Sequence, residues 1–102
     1  MSTVRDLQND VVRWANQTFP LRTRESIVKK LQEECKELLK SDITGEELAG
    51  EMADVFILIF DLAHWDRVDV MNAVHAKMEV NRHRMWEKTS NGTYQHIKDE
   101  HE

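Results

Sequence analysis

Cysteine, proline and glycine are scarce in this 102-residue chain, which holds one Cys, one Pro and three Gly. A lone cysteine excludes an intramolecular disulfide, so the cysteine content does not indicate an oxidising compartment. Cys35 falls on the apolar face of a predicted helix, where a free thiol behaves as a small hydrophobic group. So few turn-forming residues favour helices over a fold rich in β-sheet.

Long hydrophobic runs and an excess of positive charge are also lacking. The apolar run Val55–Phe60 is too short to span a bilayer. The first ten residues, MSTVRDLQND, contain no apolar stretch of the signal-peptide kind. The formal net charge of −5 argues against binding along a nucleic-acid backbone. We therefore predict a cytoplasmic protein that binds neither a nucleic-acid polymer nor a membrane, although a nucleotide held through metal ions remains compatible with this charge.

What the chain does contain is helical periodicity. Its length, with 40% hydrophobic and 32% charged residues, predicts one globular domain over residues 1–102. Apolar spacing predicts helices over residues 4–14, 25–40, 45–65 and from about Asp66–Asp69 to Trp86. Thr44 and Glu47 match a capping box at the start of the third helix. Four helices with short connections predict an all-α four-helix bundle.

Two further features concern the third helix and the end of the chain. The third helix is apolar almost all round in its middle, which predicts burial on most sides and, in so small a chain, packing against a second subunit. From about residue 87 the sequence becomes a polar C-terminal tail. Asn91-Gly92 predicts an ordered turn there, and we expect the acidic end to be loose.

Acidic side chains accompany the apolar faces of the second and third helices. On a helical wheel the third-helix acids fall within a sector of about 80°; these are Glu47, Glu51, Asp54 and Asp61. On the second helix, Glu34 and Glu37 project one turn apart beside the apolar stripe. Two interpretations are open from the residues alone. The acids form ordinary solvated helix faces, or they hold a divalent cation such as Mg²⁺, which prefers carboxylate oxygens.

A cationic and amide row is predicted on the fourth helix. Lys77, Asn81 and Arg84 lie within about 60° of one another on the wheel. Such a row can grip phosphate oxygens. It can equally be a polar face that pairs with the acids of the third helix, and the residues alone do not separate these two interpretations.

Taken together, these motifs resemble a known family. EECKE followed by EMAD is similar to the E-x-x-E…E-x-x-D signature of the MazG-like, all-α nucleoside triphosphate pyrophosphohydrolases. The lead-in WANQTFP, the K-x-x-x-N-x-x-R-x-W series ending at Trp86, and NGTYQHIK also resemble its single-domain phage and bacterial members of dATP/dGTP type. The resemblance covers nearly the whole chain.

This resemblance implies an activity and its metal. In such enzymes four carboxylates bind Mg²⁺, for which Mn²⁺ can substitute, and they correspond here to Glu34, Glu37, Glu51 and Asp54. The enzymes cleave a (deoxy)nucleoside triphosphate to the monophosphate and pyrophosphate. The resemblance also implies a bundle completed as a homodimer or homotetramer, working in the cytoplasm, or in the host cytoplasm if the gene belongs to a phage.

Roles for the remaining candidates follow from the same chemistry. Lys77 and Arg84 are expected to bind the leaving phosphates and to act in catalysis, and Asn81 to bond phosphate or sugar. Glu33 is a candidate for orienting the attacking water, against an ordinary surface role. Trp14 is a candidate for stacking on the base, against a place in the core or a subunit interface.

Three alternatives are weighed against this hypothesis. A phosphoribosyl-ATP pyrophosphohydrolase would use the same acidic chemistry on another substrate. A non-catalytic helical interaction module would use the acids to bind a basic partner, and it predicts no pyrophosphate release. A pyrophosphohydrolase fold that only binds nucleotides would be expected to have lost ligands, whereas all four expected carboxylates are present.

Overall fold

The computed structural model describes residues 3–40 and 42–98, and these are mostly helical. The helices are α1 (Val4–Thr18), α2 (Arg24–Glu37), α3 (Gly45–Trp65) and α4 (Val70–Arg82). Two short strands follow, β1 (Trp86–Lys88) and β2 (Tyr94–His96). The prediction of four helices is confirmed.

α1 begins where predicted and runs four residues further than predicted. The Thr3 hydroxyl accepts a hydrogen bond from the Asp6 backbone N–H, and the Asp6 carboxylate accepts one from the Thr3 N–H. This capping box satisfies two of the N–H groups that a helix start leaves unpaired. α1 ends at Thr18, and Pro20 follows two residues later. Its buried face consists of Val11, Val12 and Ala15.

α2 begins with the same device and ends earlier than predicted. The Thr23 hydroxyl accepts from the Ser26 N–H, and the Ser26 hydroxyl oxygen accepts from the Thr23 N–H. The helix ends at Glu37, and the next residues form a turn closed by backbone hydrogen bonds. Ile27 is its buried residue. Cys35, predicted to lie on the apolar face of this helix as a small hydrophobic group, has an exposed side chain.

α3 is the 21-residue helix against which both α1 and α2 pack. It begins at Gly45 as predicted, but the predicted capping box is wrong: within the described residues the Thr44 side chain makes no capping hydrogen bond. Its buried residues are Phe60, Asp61 and Ala63. The predicted burial of α3 on most sides is not reached within one chain. Met52 and Phe56 in the middle of the helix are about half exposed, at 48% and 54%.

α4 stops at Arg82 and does not reach Trp86, so the predicted length of this helix was wrong. None of its residues, all of which the structure describes, is buried. The chain then forms an antiparallel hairpin in which Trp86 pairs with His96. Gly92, with φ of 87°, lies in the connecting turn, as predicted. The hairpin strands were not predicted, and the loose acidic end falls largely outside the described residues.

The chain divides into two compact units, one up to Met71 and one from Asn72. The first unit contains α1, α2 and α3, and its small core is formed by Val11, Val12, Ala15, Ile27, Phe60 and Ala63. The second contains most of α4 and the hairpin. A single domain over residues 1–102 stays a prediction. Within the described residues, no helix combines the length and apolarity needed to cross a membrane.

Candidate active site

Three of the predicted metal ligands meet where α2 packs against α3. Glu51 and Asp54 lie one turn apart on α3, so both project from the same side of that helix. Glu34 approaches from α2. One carboxylate oxygen from each of these residues lies within 4.8 Å of the other two. The structure therefore brings Glu34, Glu51 and Asp54 together as a carboxylate cluster.

Glu51 is the electrostatic centre of this cluster. Its Oε2 atom is buried and has no hydrogen-bond partner among the described residues. A hydrogen bond with Glu34, then partial burial, then the negative charges of Glu34, Asp54 and Glu37 raise the pKa of Glu51 above its ordinary value of 4.5. A carboxylate held against other carboxylates is unfavourable unless a proton or a cation offsets the repulsion.

Two lysines lie close to the cluster: Lys30 on α2, and Lys40 shortly after the end of that helix. The Lys30 Nζ lies 3.3 Å from Glu34 Oε1 and 3.5 Å from Glu33 Oε2. Lys40 forms an ion pair with Glu37. Glu37 is not among the three clustered carboxylates, although its charge acts on Glu51. Glu37 as a fourth ligand and Glu33 as the water-orienting residue both stay predictions.

The donor set fits a hard divalent cation. Three carboxylates supply only oxygen ligands, which Mg²⁺ and Mn²⁺ prefer over nitrogen or sulfur. The unpartnered Glu51 Oε2 is the kind of buried acceptor that a bound cation satisfies. The Lys30 contact at 3.3 Å is with Glu34, so it does not satisfy the Glu51 oxygen.

An apolar cavity of about 580 Å³ lies beside the cluster, in the first unit. That volume falls within the roughly 300–1,000 Å³ of typical ligand pockets. Its aromatic wall is the edge-to-face pair Trp14 and Phe19, whose ring centroids are 5.3 Å apart. Leu58, one turn beyond Asp54 on α3, and Lys30, one turn before Glu34 on α2, also line it. The cavity and the cluster are therefore neighbours along the same α2–α3 groove.

A buried ion pair anchors the loop that forms one wall of this cavity. The Arg22 Nε and Nη2 groups donate to the two Asp61 carboxylate oxygens at 2.7 and 2.8 Å. Arg22 also donates to the Asn16 side chain at 2.8 Å and to the Phe19 carbonyl at 3.3 Å. Asp61 was identified from the sequence among the third-helix acids, but Arg22 was not singled out. A basic residue in the segment TFPLRT, residues 18–23, was the available signal, but its distant partner could not be read from the sequence.

The predicted phosphate-binding residues all lie in the second unit. Lys77 and Asn81 are on α4, which ends at Arg82. Arg84 lies beyond that end, so its predicted place in one helical row with Lys77 and Asn81 was wrong. Lys77 is exposed, whereas Asn81 and Arg84 are half-buried. The Asn81 Oδ1 is buried and has no hydrogen-bond partner among the described residues. The Trp86 indole N–H donates to the Asn81 carbonyl at 3.1 Å, which ties the hairpin to α4.

Relatives with similar sequences are phage hydrolases. No protein-family model matches the chain. A dATP/dGTP diphosphohydrolase of Salmonella phage PMBT28 is 40% identical over 97 residues, which make up 95% of this chain and 32% of that protein. The chain thus spans about a third of that relative's length. A dATP/dGTP diphosphohydrolase of cyanophage S-2L is 41% identical over 96 residues, or 94% of this chain and 90% of that protein.

A solved structure agrees with the sequence matches. It is the cyanophage S-2L MazG-like pyrophosphohydrolase bound to dGDP and three catalytic Mn²⁺ ions per active site. It superposes on this chain with a TM-score of 0.84 at 39% identity, covering 96% of both chains. Since the likeness holds in sequence and in fold over almost the full length of both proteins, this chain belongs to the MazG-like pyrophosphohydrolases.

Proposed function

We propose that the protein is a Mg²⁺-dependent nucleotide pyrophosphohydrolase that cleaves a (d)NTP to the (d)NMP and pyrophosphate. The observation that carries this proposal is the carboxylate cluster of Glu34, Glu51 and Asp54, with its buried and unpartnered Glu51 oxygen. Such a cluster is unfavourable by itself, and a divalent cation that carries a triphosphate would relieve it. Membership of the family supports the same reaction.

The metal would be held by Glu34, Glu51 and Asp54, with Glu37 as a fourth ligand after release from Lys40. When bound, Mg²⁺ or Mn²⁺ supplies charge neutralisation for the phosphates and acidity for a bound water. The contribution of the chain is to hold these carboxylates within 4.8 Å of one another before the metal arrives. Glu33, whose side chain is 67% exposed, is the candidate for orienting the attacking water.

The substrate class that fits the site is a purine deoxynucleoside triphosphate. Both phage relatives are dATP/dGTP diphosphohydrolases, and the S-2L structure holds dGDP. The apolar cavity beside the cluster offers the aromatic rings of Trp14 and Phe19 for a base. Base stacking on aromatic rings is worth roughly 1–3 kcal/mol. Trp14 is therefore proposed as a base contact.

Lys77, Asn81 and Arg84 are proposed to bind the phosphates and the sugar. A lysine and an arginine supply charge-assisted hydrogen bonds to phosphate oxygens as the leaving pyrophosphate gains charge. The buried, unpartnered Oδ1 of Asn81 is a hydrogen-bond acceptor, so it suits a sugar hydroxyl, which can donate. An ionised phosphate near neutral pH offers few hydrogen-bond donors. The two cations are also the proposed catalytic residues, through stabilisation of that charge.

The active form is proposed to be a homodimer or homotetramer. Met52 and Phe56 on α3 and Val74 and Met78 on α4 are all more than 40% exposed in the single chain. Apolar side chains exposed along two helices are typical of an interface. The relatives are phage proteins, which supports action in the cytoplasm of an infected host.

A pyrophosphate-release assay tests the activity. A panel of NTPs, dNTPs and phosphoribosyl-ATP is incubated with Mg²⁺, with Mn²⁺ or with chelator. We expect metal-dependent release that is highest with dATP and dGTP. Glu51→Gln should lower the rate by at least about a hundredfold, because it removes a ligand charge from the metal.

The matched control is Glu46→Gln, which neutralises an exposed glutamate in the first turn of α3 and should keep wild-type rates. Release from phosphoribosyl-ATP alone would replace the proposed substrate class. Absence of release from every compound, with folded and metal-loaded protein, would leave the non-catalytic interaction module as the better account.

A further inference from the structure

A second cavity of the first unit lies at the C-terminal end of α3 and has a volume of about 310 Å³. Its lining residues carry positive charge, hydrogen-bond donors and one aromatic ring, and they are Asn16, Arg22, His64, Trp65 and Arg67. None of these described residues is acidic, although the chain holds 19 acidic residues among 102 and has a formal net charge of −5. Such a lining is suited to an anion.

Arg22 contributes a hydrogen-bond donor to this cavity. A guanidinium has five N–H groups. Its Nε and Nη2 groups make three hydrogen bonds, to Asp61 and Asn16, and one Nη1 N–H bonds the Phe19 carbonyl. The fifth N–H has no partner among the described residues. The Asn16 side-chain oxygen accepts from Arg22, so the NH₂ group of that amide is left as a second donor.

Arg67 supplies the net positive charge, because Asp61 neutralises Arg22. The Arg67 side chain is exposed, and within residues 3–40 and 42–98 it forms no ion pair or hydrogen bond. Its backbone φ is 56°, in the left-handed region that favours glycine. This conformation ends α3 in a Schellman motif, with the Val68 N–H bonded to the Ala63 carbonyl at 2.8 Å. An arginine thus occupies a position at which the backbone favours glycine.

The same motif reduces the negative potential at the helix end. The last carbonyls of a helix carry partial negative charge, which disfavours a nearby anion. Here three of them accept backbone hydrogen bonds, namely those of Leu62, Ala63 and His64. These carbonyls are therefore satisfied within the chain.

Trp65 and His64 complete the wall of the cavity. Trp65 is 44% exposed, and its ring centroid lies 5.8 Å from Arg22 Cζ, within the range of a cation–π contact. The exposed His64 ring can donate an N–H. Two guanidiniums, an amide and an imidazole around one space match the several acceptor oxygens of a phosphate group.

We propose that this cavity, called here the Arg67 cavity, binds the phosphate group of a small molecule. Arg67 provides the charge, and Asn16, His64 and the remaining Arg22 N–H provide further donors. His64 lies ten positions after Asp54 on α3, or about 15 Å along the helix axis. The Arg67 cavity is therefore a site apart from the carboxylate cluster, needs no metal, and does not rest on the proposed function.

The test follows the indole N–H signals of the three tryptophans by NMR. Trp65 lines the Arg67 cavity, Trp14 lines the apolar cavity, and Trp86 lies in the hairpin. The protein is titrated with inorganic phosphate in chelator at constant ionic strength. We expect a saturable shift of the Trp65 signal with little change in the other two, because no metal is present to hold phosphate at the carboxylates.

Arg67→Gly is the decisive variant, because glycine accepts a φ of 56° and the substitution removes only the side chain. It should weaken phosphate binding at least about tenfold, since a charge-assisted hydrogen bond is lost. Arg13→Gln is the control: it removes an exposed guanidinium of α1 that does not line the cavity, and it should keep the wild-type affinity. A Trp65 shift that is absent, does not saturate, or persists unchanged in Arg67→Gly would overturn the site.

A second titration, with dGMP in chelator, distinguishes two sources of the phosphate group. Equal affinities for dGMP and inorganic phosphate would assign the cavity to free phosphate. Tighter binding of dGMP, with the shift still at Trp65 and still lost in Arg67→Gly, would assign it to a nucleotide whose base lies against the indole ring. A dGMP shift confined to Trp14 would place the nucleotide in the apolar cavity and would contradict a nucleotide in the Arg67 cavity.

Discussion

The Glu51 carboxyl adds a pH-dependent contribution to the stability of the metal-free protein. Its pKa is raised in the folded chain, so its stabilising contribution is present below about pH 4.5 and is lost as pH rises through the folded pKa. Near neutral pH the folded chain therefore carries an unfavourable carboxylate. Glu51→Gln, which is permanently neutral and can donate to Glu34, should unfold at a higher temperature than wild type in chelator. Thermal unfolding followed by circular dichroism measures this difference.

Two control conditions separate the electrostatic cause from a general packing change. The advantage of Glu51→Gln should shrink as the pH is lowered toward 4.5, because the wild-type carboxyl then becomes neutral too. Saturating Mn²⁺ should reverse the order, because a metal at a hundred times its Kd stabilises the wild type by about 2.7 kcal/mol. A variant that is less stable than wild type in chelator at neutral pH would contradict the raised pKa.

The Arg22–Asp61 pair predicts a large effect on stability from a single substitution. Their side chains are 10% and 5% exposed, and removal of one partner from a buried pair costs about 3–5 kcal/mol because the other charge stays buried. Arg22→Met should show that loss in urea unfolding, whereas Arg22→Met combined with Asp61→Leu should recover much of it. A loss below about 1 kcal/mol for the single variant would indicate a solvated pair.

The residues of the cluster were predicted better than the residues that support them. Glu51 and Asp54 have a spacing that the sequence displays, since i, i+3 positions share a helix face, and Glu34 was found through the same spacing to Glu37. Arg22 lies 39 positions before Asp61, and no periodicity connects two such positions. Its contacts with Asn16 and Phe19 are local in the sequence, whereas its contact with Asp61 joins the loop before α2 to α3.

At the level of helices, the capping threonines predict a difference between two similar substitutions. The Thr23 hydroxyl caps α2, whereas the Thr44 side chain makes no such bond at the start of α3. Thr23→Ala should therefore lower the free energy of unfolding by about 1 kcal/mol. Thr44→Ala should lower it by clearly less, although both are threonines at N-cap positions. Urea unfolding of the two variants and the wild type gives the comparison.

Equal losses of unfolding free energy for the two variants would mean that the Thr44 side chain also caps its helix, as its sequence pattern suggests. The T-x-x-E pattern of Thr44 and Glu47 fails here although the helix begins where predicted. Thr23, whose T-x-x-S pattern was not singled out, forms the reciprocal bonds. Capping depends on backbone angles and rotamers at the helix start, which a four-residue pattern constrains only partly.

The hairpin shows a second limit of prediction at this level. Asn91-Gly92 predicted a turn, and Gly92 has the positive φ that such a turn uses. Its strands have only three residues each, too few for an alternating pattern to identify them. α4 was predicted too long for a related reason, because Trp86 continues the helical spacing but lies in β1 and bonds back to the Asn81 carbonyl.

For the whole molecule, the exposed apolar residues predict association. Phe56 lies in the middle of α3 and is 54% exposed. Apart from Trp65 at the end of the helix, it is the largest exposed apolar side chain on α3. Phe56→Glu places a charge where an apolar interface is proposed, so we expect a monomer and loss of pyrophosphate release. Sedimentation velocity at micromolar concentration measures the change in mass for variant and wild type.

Leu39→Glu is the control for association, since Leu39 is 85% exposed and lies beyond the end of α2. It should keep the wild-type mass. A monomeric wild type with full activity would contradict the proposed oligomer, and an oligomeric Phe56→Glu protein would move the interface away from the middle of α3.

The sequence by itself determined the four helices, the two acidic pairs and the membership that these motifs indicate, because helical periodicity and i, i+3 spacing are local properties of the chain. Only the tertiary structure decided that Glu34 joins Glu51 and Asp54 within 4.8 Å, that an apolar cavity lies next to them, and that Lys30 lines that cavity. These features depend on the packing of α2 against α3 and on the return of one loop. Such contacts between distant positions arise from burial and shape in three dimensions, which no short stretch of sequence specifies.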